Sequence, residues 1–382
     1  MRRSELFNQA GQASRPLLVA LCLPLALLAQ NLTREGGRWV TTITGTAPPA
    51  SRLRVNAQGP VHLEGGAANE IAYSAKLSVQ VRNQEDARRI LSQYAIRIAS
   101  NGEVTVLNAP GGPVTATLTI RTPRLAAAFI GTSDGSVEAN GIDGTLEVNS
   151  GAGDLKCDRI RGDCHVTTGG GDIHIGQVDG NLRCTTAGGK VTVKNVRGDA
   201  VLETAGGDLE VGDAGASVQA DTAGGAIRVN SAGGSVSAST GGGSIIVGKA
   251  AGIVTARNVA GPVEVGAAAG VRCESGTGLI KVSNIAGPMR VSTAFGSIFA
   301  SLLGGRLVAD SFLETGNGDV TISIPSNVGV RLVGMSRRIV SDFPGIAVQS
   351  RGPEMVADGA VNGGGPLLRI TGVGGTIFIK RQ

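Results

Sequence analysis

Hydrophobic and polar residues alternate along the middle of the chain in a unit of nine. Gly-x-φ-x-φ starts at Gly135 and returns every nine residues, with one slip at Ala269, as far as Gly305. Each start is followed by two apolar places, two and four residues on. Across twenty units these run from Val137 and Ala139 to Leu307 and Ala309, and all forty are Val, Ile, Leu, Met, Ala or Cys. Alternation of this kind predicts short strands with one face buried. The Gly at each start is read as backbone freedom for a tight corner.

Successive units differ, so the structural repeat is eighteen residues. The first half-turn carries an apolar residue at its eighth place, from Ile142 and Ile160 to Ile285 and Leu303. The second half-turn carries a polar residue at its seventh place: Ser150, Thr168, Thr186, Thr204, Thr222, Thr240, Asn258, Ser275, Thr293 and Ser311. Two columns of different chemistry on one period predict two stacked parallel sheets. Ten coils at about 4.8 Å per strand make a rod of roughly 48 Å. The fold class expected is an all-β parallel β-solenoid of about 18 residues per coil, capped at both ends.

Flanking segments supply the caps. Strand-like runs fall at Leu53 to Val55, Val61 to Leu63, Leu77 to Val81, Val104 to Leu107 and Leu118 to Ile120. A helix is expected after Asn83 as N-cap, with Ala87, Ile90, Leu91 and Tyr94 at helical spacing. Toward the end, strands are read at Val320 to Ile324, Gly329 to Val333, Ile346 to Val348 and Ile377 to Ile379, with Gly363 to Pro366 as a loop. The organisation expected is a signal peptide over 1–29, an N-terminal β-rich segment with one short helix over 30–130, the solenoid over 131–313 and a closing segment over 314–382.

Composition sharpens this picture. Gly makes up 60 of 382 residues, while Phe, Trp and Tyr together reach 10, so the core must be built from small and β-branched side chains. A formal charge of +5, thinly spread, does not point to nucleic acid. At the start, Arg2, Arg3 and Arg15 precede the apolar stretch LLVALCLPLALLA, which at 13 residues is too short to span a bilayer and reads as an export signal. Export implies the periplasm, the outer-membrane surface or the extracellular space.

With those features in place, the chain resembles a known family. LTIRTPRL, followed by TSDGSVEANGIDGTLEVNSGAGDL and repeated TAGG units, is similar to the bacterial domain-of-unknown-function family named "putative adhesin", with β-strand repeats. The closing segments LETGNGDVTISIPSNVGV, RRIVSDFPGI and NGGGPLLRITGVGGTIFIKR resemble those of its soil-bacterial members. The resemblance implies an exported β-solenoid of the cell envelope and brings no catalytic residues with it.

Several patterns could carry chemistry. SGAGDL and TGGGDI contain phosphate-loop letters, but no Lys-Ser or Lys-Thr follows, so they read as corners. Calcium-loaded β-rolls need an acid in most turns. Here the places after the corner Gly read Ser136, Asp154, Asp172, Lys190, Asp208 and Ala226 in one column, and Thr145, Asp163, Asn181, Asp199 and Ser217 in the other. Lys190 is read as easing repulsion between Asp172 and Asp208.

Cys157, Cys164, His165 and His174 look like metal ligands, yet alternation sends Cys164 inward and His165 outward, and all four mature Cys, including Cys184 and Cys273, fall on inward places. Cys157 and Cys164, across one corner, are the one pair of the four near enough for a disulfide, which the sequence leaves open. The hydroxyl column is read as satisfying corner hydrogen bonds.

A polysaccharide-acting β-helix enzyme would need clustered carboxylates in a cleft. The outward column of the first sheet, Glu138, Lys156, His174, Thr192, Glu210 and Arg228 onward, places no two acids together, and no aromatic platform is foreseen. The second sheet's outward column, from Glu147 and His165 to Arg290 and Val308, reads as irregular. Trp39, Tyr73 and Tyr94 are assigned to core or cap, and Arg337, Arg338 and Asp342 to a solvated loop. The expectation is a non-catalytic envelope scaffold with no catalytic, cofactor-binding or metal-binding residue, no cofactor, and an envelope or surface partner of polysaccharide or protein. The enzyme is the alternative.

Overall fold

The computed structural model describes residues 32–66, 68–305 and 309–382. The expected signal peptide over 1–29 lies outside them. The chain winds into a parallel β-solenoid of about 11 turns with about 18 residues per coil, and the described residues include one helix. Each strand pairs with the residue eighteen places on: Val137 with Leu155 and Leu155 with Ile173 in the first sheet, Leu146 with Cys164 and Cys164 with Leu182 in the second. Side chains alternate as the pattern requires. Ile173 and Ile175 are buried around an exposed His174, and Val218 and Ala220 around an exposed Gln219.

The polar column is part of the scaffold. Thr168 Oγ1 donates to the Gly153 carbonyl of the preceding coil at 2.9 Å and accepts from the Gly171 N–H at 3.4 Å. Thr204, Thr222 and Thr240 repeat the pair of bonds, so each of these corners finds partners for one donor and one acceptor. Farther along, Asn258 donates to the Gly243 and Gly261 carbonyls, Thr293 keeps only the donated bond, and the buried Ser275 hydroxyl has no partner among the described residues. Buried polar backbone at a corner would otherwise be left unsatisfied.

Over most of the rod the corner glycines answer a different need from the one the sequence suggested, whereas the unit starts Gly261, Gly278 and Gly296 have positive φ, as corners needing backbone freedom would. Gly153, Gly171, Gly189 and Gly207 are not among the residues with positive φ. A Cβ on Gly171 would instead fall on the backbone of Gly153 one coil away, and the same holds for Gly189 over Gly171. Glycine is required here by close coil-on-coil stacking rather than by an unusual dihedral.

At the N-terminal end, Asn83 caps the helix Gln84–Ser92, its Oδ1 accepting the Asp86 N–H at 2.7 Å, and Ala87 and Leu91 are buried. Strand Ile71–Val79 begins ahead of the expected Leu77, because it lies between Arg38–Ala47 and Thr115–Arg121 as an antiparallel partner of both. Gly45 makes room there: the Tyr73 ring lies where a Cβ on that residue would stand. Arg52–Ala57 and Ala127–Thr132 join the second sheet in parallel register, and Val61–Glu64 joins the first.

At the other end the nine-residue count fails. Met289–Phe295 pairs with Ser311–Asn317, matching Arg290 to Phe312, so this step is longer than eighteen residues. Leu303 is 49% exposed and Ala309 is exposed, while Leu302 fills the core opposite Ile285. A register shift lies here, Val282 matching Ala300 but Ile285 matching Leu302, so the later strand is one residue short over this interval. Leu307 and Val308 lie outside the described residues. Thr315 takes the place in the hydroxyl ladder expected of Ser311, donating to Gly296 at 2.8 Å, while Ser311 Oγ accepts the Met289 N–H at 3.1 Å.

Strand Leu367–Arg381 then bends across both sheets, pairing with Ser311–Asn317 in the second and Val320–Ile324 in the first. Val330–Ser341 follows it, so Arg337 and Arg338 belong to a strand rather than a loop.

Candidate binding surface

On the outer face of the first sheet the glutamates are paired. Glu138 meets Lys156 at 2.9 Å and His62 at 3.3 Å, Glu210 meets Lys190 at 2.9 Å and Arg228 at 3.2 Å, and Glu264 meets Lys281 at 2.7 Å. The hydrogen bond from Lys156 holds the Glu138 carboxyl below its usual range. These are exposed pairs, each worth at most about 1 kcal/mol.

The second sheet presents a different face. Its outward column runs Arg54, Phe129, Glu147, His165 and Arg183, continues through uncharged residues, and closes with Arg272, Arg290, Phe312 and Arg369. Within this column five arginines face one glutamate. Arg183 pairs with Glu203 at 2.8 Å and Arg272 with Glu274 at 3.2 Å. Among the described residues, Arg54, Arg290 and Arg369 have no acidic partner.

Two of those three stack on aromatic rings. The Arg54 guanidinium lies 5.6 Å from the Phe129 centroid and that of Arg290 lies 5.1 Å from Phe312. Beside Phe129 is a hollow of about 430 Å³ lined by Arg52, Arg54, Ser100, Val104, Val106 and Phe129. Phe299 and Phe378 stand outward on the first sheet, and Lys380 approaches the Phe378 ring at 5.9 Å. Among the described residues, Phe129, Phe299, Phe312 and Phe378 thus stand outward.

The acids that suggested calcium have other partners. Asp154 Oδ1 accepts the Asp172 N–H at 2.9 Å, Asp172 accepts that of Lys190 at 2.7 Å, and Asp208 accepts that of Ala226 at 2.8 Å. Asp163, Asn181 and Asp199 do the same at the opposite corner. Each such side chain ties one coil to the next. The Lys190 ammonium reaches Glu210 and not the two aspartates beside it. Among the described residues no three His, Cys, Asp or Glu are placed to share a metal ion.

His165 and His174 stand outward on opposite sheets. Cys157, Cys164, Cys184 and Cys273 are free and buried. Contact with Cys164 together with burial pushes the Cys157 thiol up, burial does so for Cys184, and Cys273 is pushed up to about 12 by burial. The raised Cys157, Cys184 and Cys273 thiols are not poised as nucleophiles.

A second hollow, of about 380 Å³, sits at a corner of the first sheet beside Arg124, Arg159 and Arg161. Acids along the corner pair with most of these cations: Asp143 holds Arg124 and Arg161 at 3.3 and 2.9 Å, and Asp179 holds Arg197 at 3.4 Å. Arg159, with φ +53°, is fixed by Asn140 at 2.8 Å.

Neither Arg–Phe pair was visible to the periodic reading. Phe312 replaces Val308 only because the coil after Arg290 is longer than eighteen residues. Phe129 precedes the first counted unit, although Ala128 and Ile130 on either side of it already show the buried alternation that marks a strand.

No family model matches the chain, and no curated protein matches it. Solved structures similar to it include a "putative adhesin" of Bacteroides fragilis, with 12% identity, TM-score 0.28, and 90% of this chain and 97% of that one covered. Another is a "putative cell adhesion protein" of Clostridium sporogenes, with 8% identity, TM-score 0.17 and coverage of 90% and 100%. A "putative adhesin" of Parabacteroides distasonis shows 11% identity, TM-score 0.24 and coverage of 89% and 97%. No described helix is long and apolar enough to cross a membrane.

Proposed function

We propose that this chain is a non-catalytic, adhesin-like scaffold, exported to the bacterial envelope, that binds through an extended outer surface. The observation that carries the reading is the second sheet's outer column, where arginines without acidic partners lie over outward phenylalanines. Exposed cation–aromatic pairs add little to folding and offer a ready contact to a partner. The acids that a hydrolase or lyase would use are instead bonded to backbone N–H groups of the next coil. In this proposal residues 1–29 are the export signal, 30–130 and 314–382 the closing segments, and 131–313 the rod.

Fractionating cells that express the full chain, and pulling down intact cells and envelope polymers with the purified protein, tests the reading. Recovery in the envelope or medium, with retention of cells or polymer, supports it. A cytoplasmic pool that retains neither would overturn it.

A further inference from the structure

We propose that the outer face of the second sheet is a track for a carboxylate-bearing polysaccharide, gripped at two stations: Arg52, Arg54 and Phe129 at one end, and Arg290, Phe312 and Arg369 at the other. This rests on the binding role just described and names the chemistry of the partner.

Three features favour that chemistry. The first sheet's glutamates are each paired with a cation, whereas in the second sheet's outward column Arg54, Arg290 and Arg369 have no acidic partner among the described residues, Glu314 being the acid beside Phe312 on that face. An arginine fork takes a carboxylate through two parallel N–H bonds, and stacking on a phenyl ring orients the fork while leaving its N–H edges free. The phenyl ring and the apolar wall from Val104 and Val106 can meanwhile receive the C–H face of a pyranose ring.

The spacing favours a polymer. From Phe129 to Phe312 the register pairs count ten strand steps, about 48 Å at the strand spacing. No small molecule reaches both stations, whereas a chain lying along the axis does, and its second contact is intramolecular. Nucleic acid is a poorer fit, because its continuous phosphate charge would be met by only three unpaired arginines in this column.

The test measures binding of the full chain to polygalacturonate, with neutral dextran, dextran sulfate and single-stranded DNA in parallel at physiological salt. Polygalacturonate should bind tightest. Arg54→Ala and Arg369→Ala should each weaken it about tenfold, and the double variant more than the product of the two. Arg228→Ala on the first sheet should change it by less than about twofold.

Circular dichroism identical to the parent makes each variant interpretable, and Arg54→Lys, which keeps charge but not the fork, should recover only part of the loss. Equal or tighter binding of dextran, dextran sulfate or DNA, or folded Arg54 and Arg369 variants with parental affinity, would overturn the track. So would the absence of polygalacturonate binding by a protein that still retains cells, which leaves the scaffold reading standing. Shortening of the polymer would sink the scaffold reading itself.

Discussion

The hydroxyl of Thr186 donates to the carbonyl of Gly171, 3.0 Å away in the preceding coil, and accepts the Gly189 N–H at 3.2 Å in its own. One buried side chain thereby serves a donor and an acceptor that no strand ladder reaches. Replacing Thr186 with Val keeps the shape and removes both bonds, so it should lower stability by about 1–3 kcal/mol. Thr186→Ser should restore most of it. Denaturant midpoints of the two variants check this, and parental stability in the Val variant would refute the structural role of the ladder.

Two neighbouring glycines separate stacking from flexibility. Gly171 lies under Gly189 and over Gly153, whereas a Cβ on Gly170 meets nothing within 4 Å. Gly171→Ala should therefore cost about 2 kcal/mol or more, and Gly170→Ala roughly 0.5 or less. Equal losses in thermal unfolding would mean that coil-on-coil contact is not what the corner glycines provide.

Alternation is tested by Ile227 and Arg228. Ile227 is 1% exposed, and Asp in its place would bury an unpaired carboxylate at several kcal/mol. Arg228 meets Glu210 at 3.2 Å with its side chain 57% exposed, and Ala there should cost about 0.5 kcal/mol or less. Similar losses in the two variants would contradict the assigned faces.

Stability should fall on the alkaline side. An unfolded thiol ionises near pH 8.5, while that of Cys273 in the core is held to about 12. Between those values the unfolded state binds fewer protons than the folded one, so unfolding is favoured as pH rises. Cys157 and Cys184 are shifted the same way. Denaturant midpoints from pH 8 to 11 should decline, and Cys273→Ala should flatten part of that slope. Identical slopes in both proteins would show that the buried thiol does not titrate as described.

The coil was legible because nearly every inward place from Val137 to Ala300 obeys one period, and a strand of period two leaves no freedom in which face is buried. What escaped the reading lies where the period breaks. The register shifts by one residue so that Leu302 faces inward opposite Ile285, and the coil after Met289 lengthens so that Phe312 comes beside Arg290. Strand Arg38–Ala47 escaped for another reason: it carries Thr at its exposed places and Gly45 opposite Tyr73, and takes its register from an antiparallel partner distant in sequence. The binding stations stand at these irregular ends, where counting residues says least about neighbours.

The central claim is that the protein holds a polymer and leaves it intact. Purified full-length protein is incubated with peptidoglycan, capsule and polygalacturonate while bound polymer, reducing ends and unsaturated products are followed together. The account predicts retention with no products, unchanged when Asp154 and Asp172 become Asn. Products that persist through repurification and vanish in that double variant would contradict it.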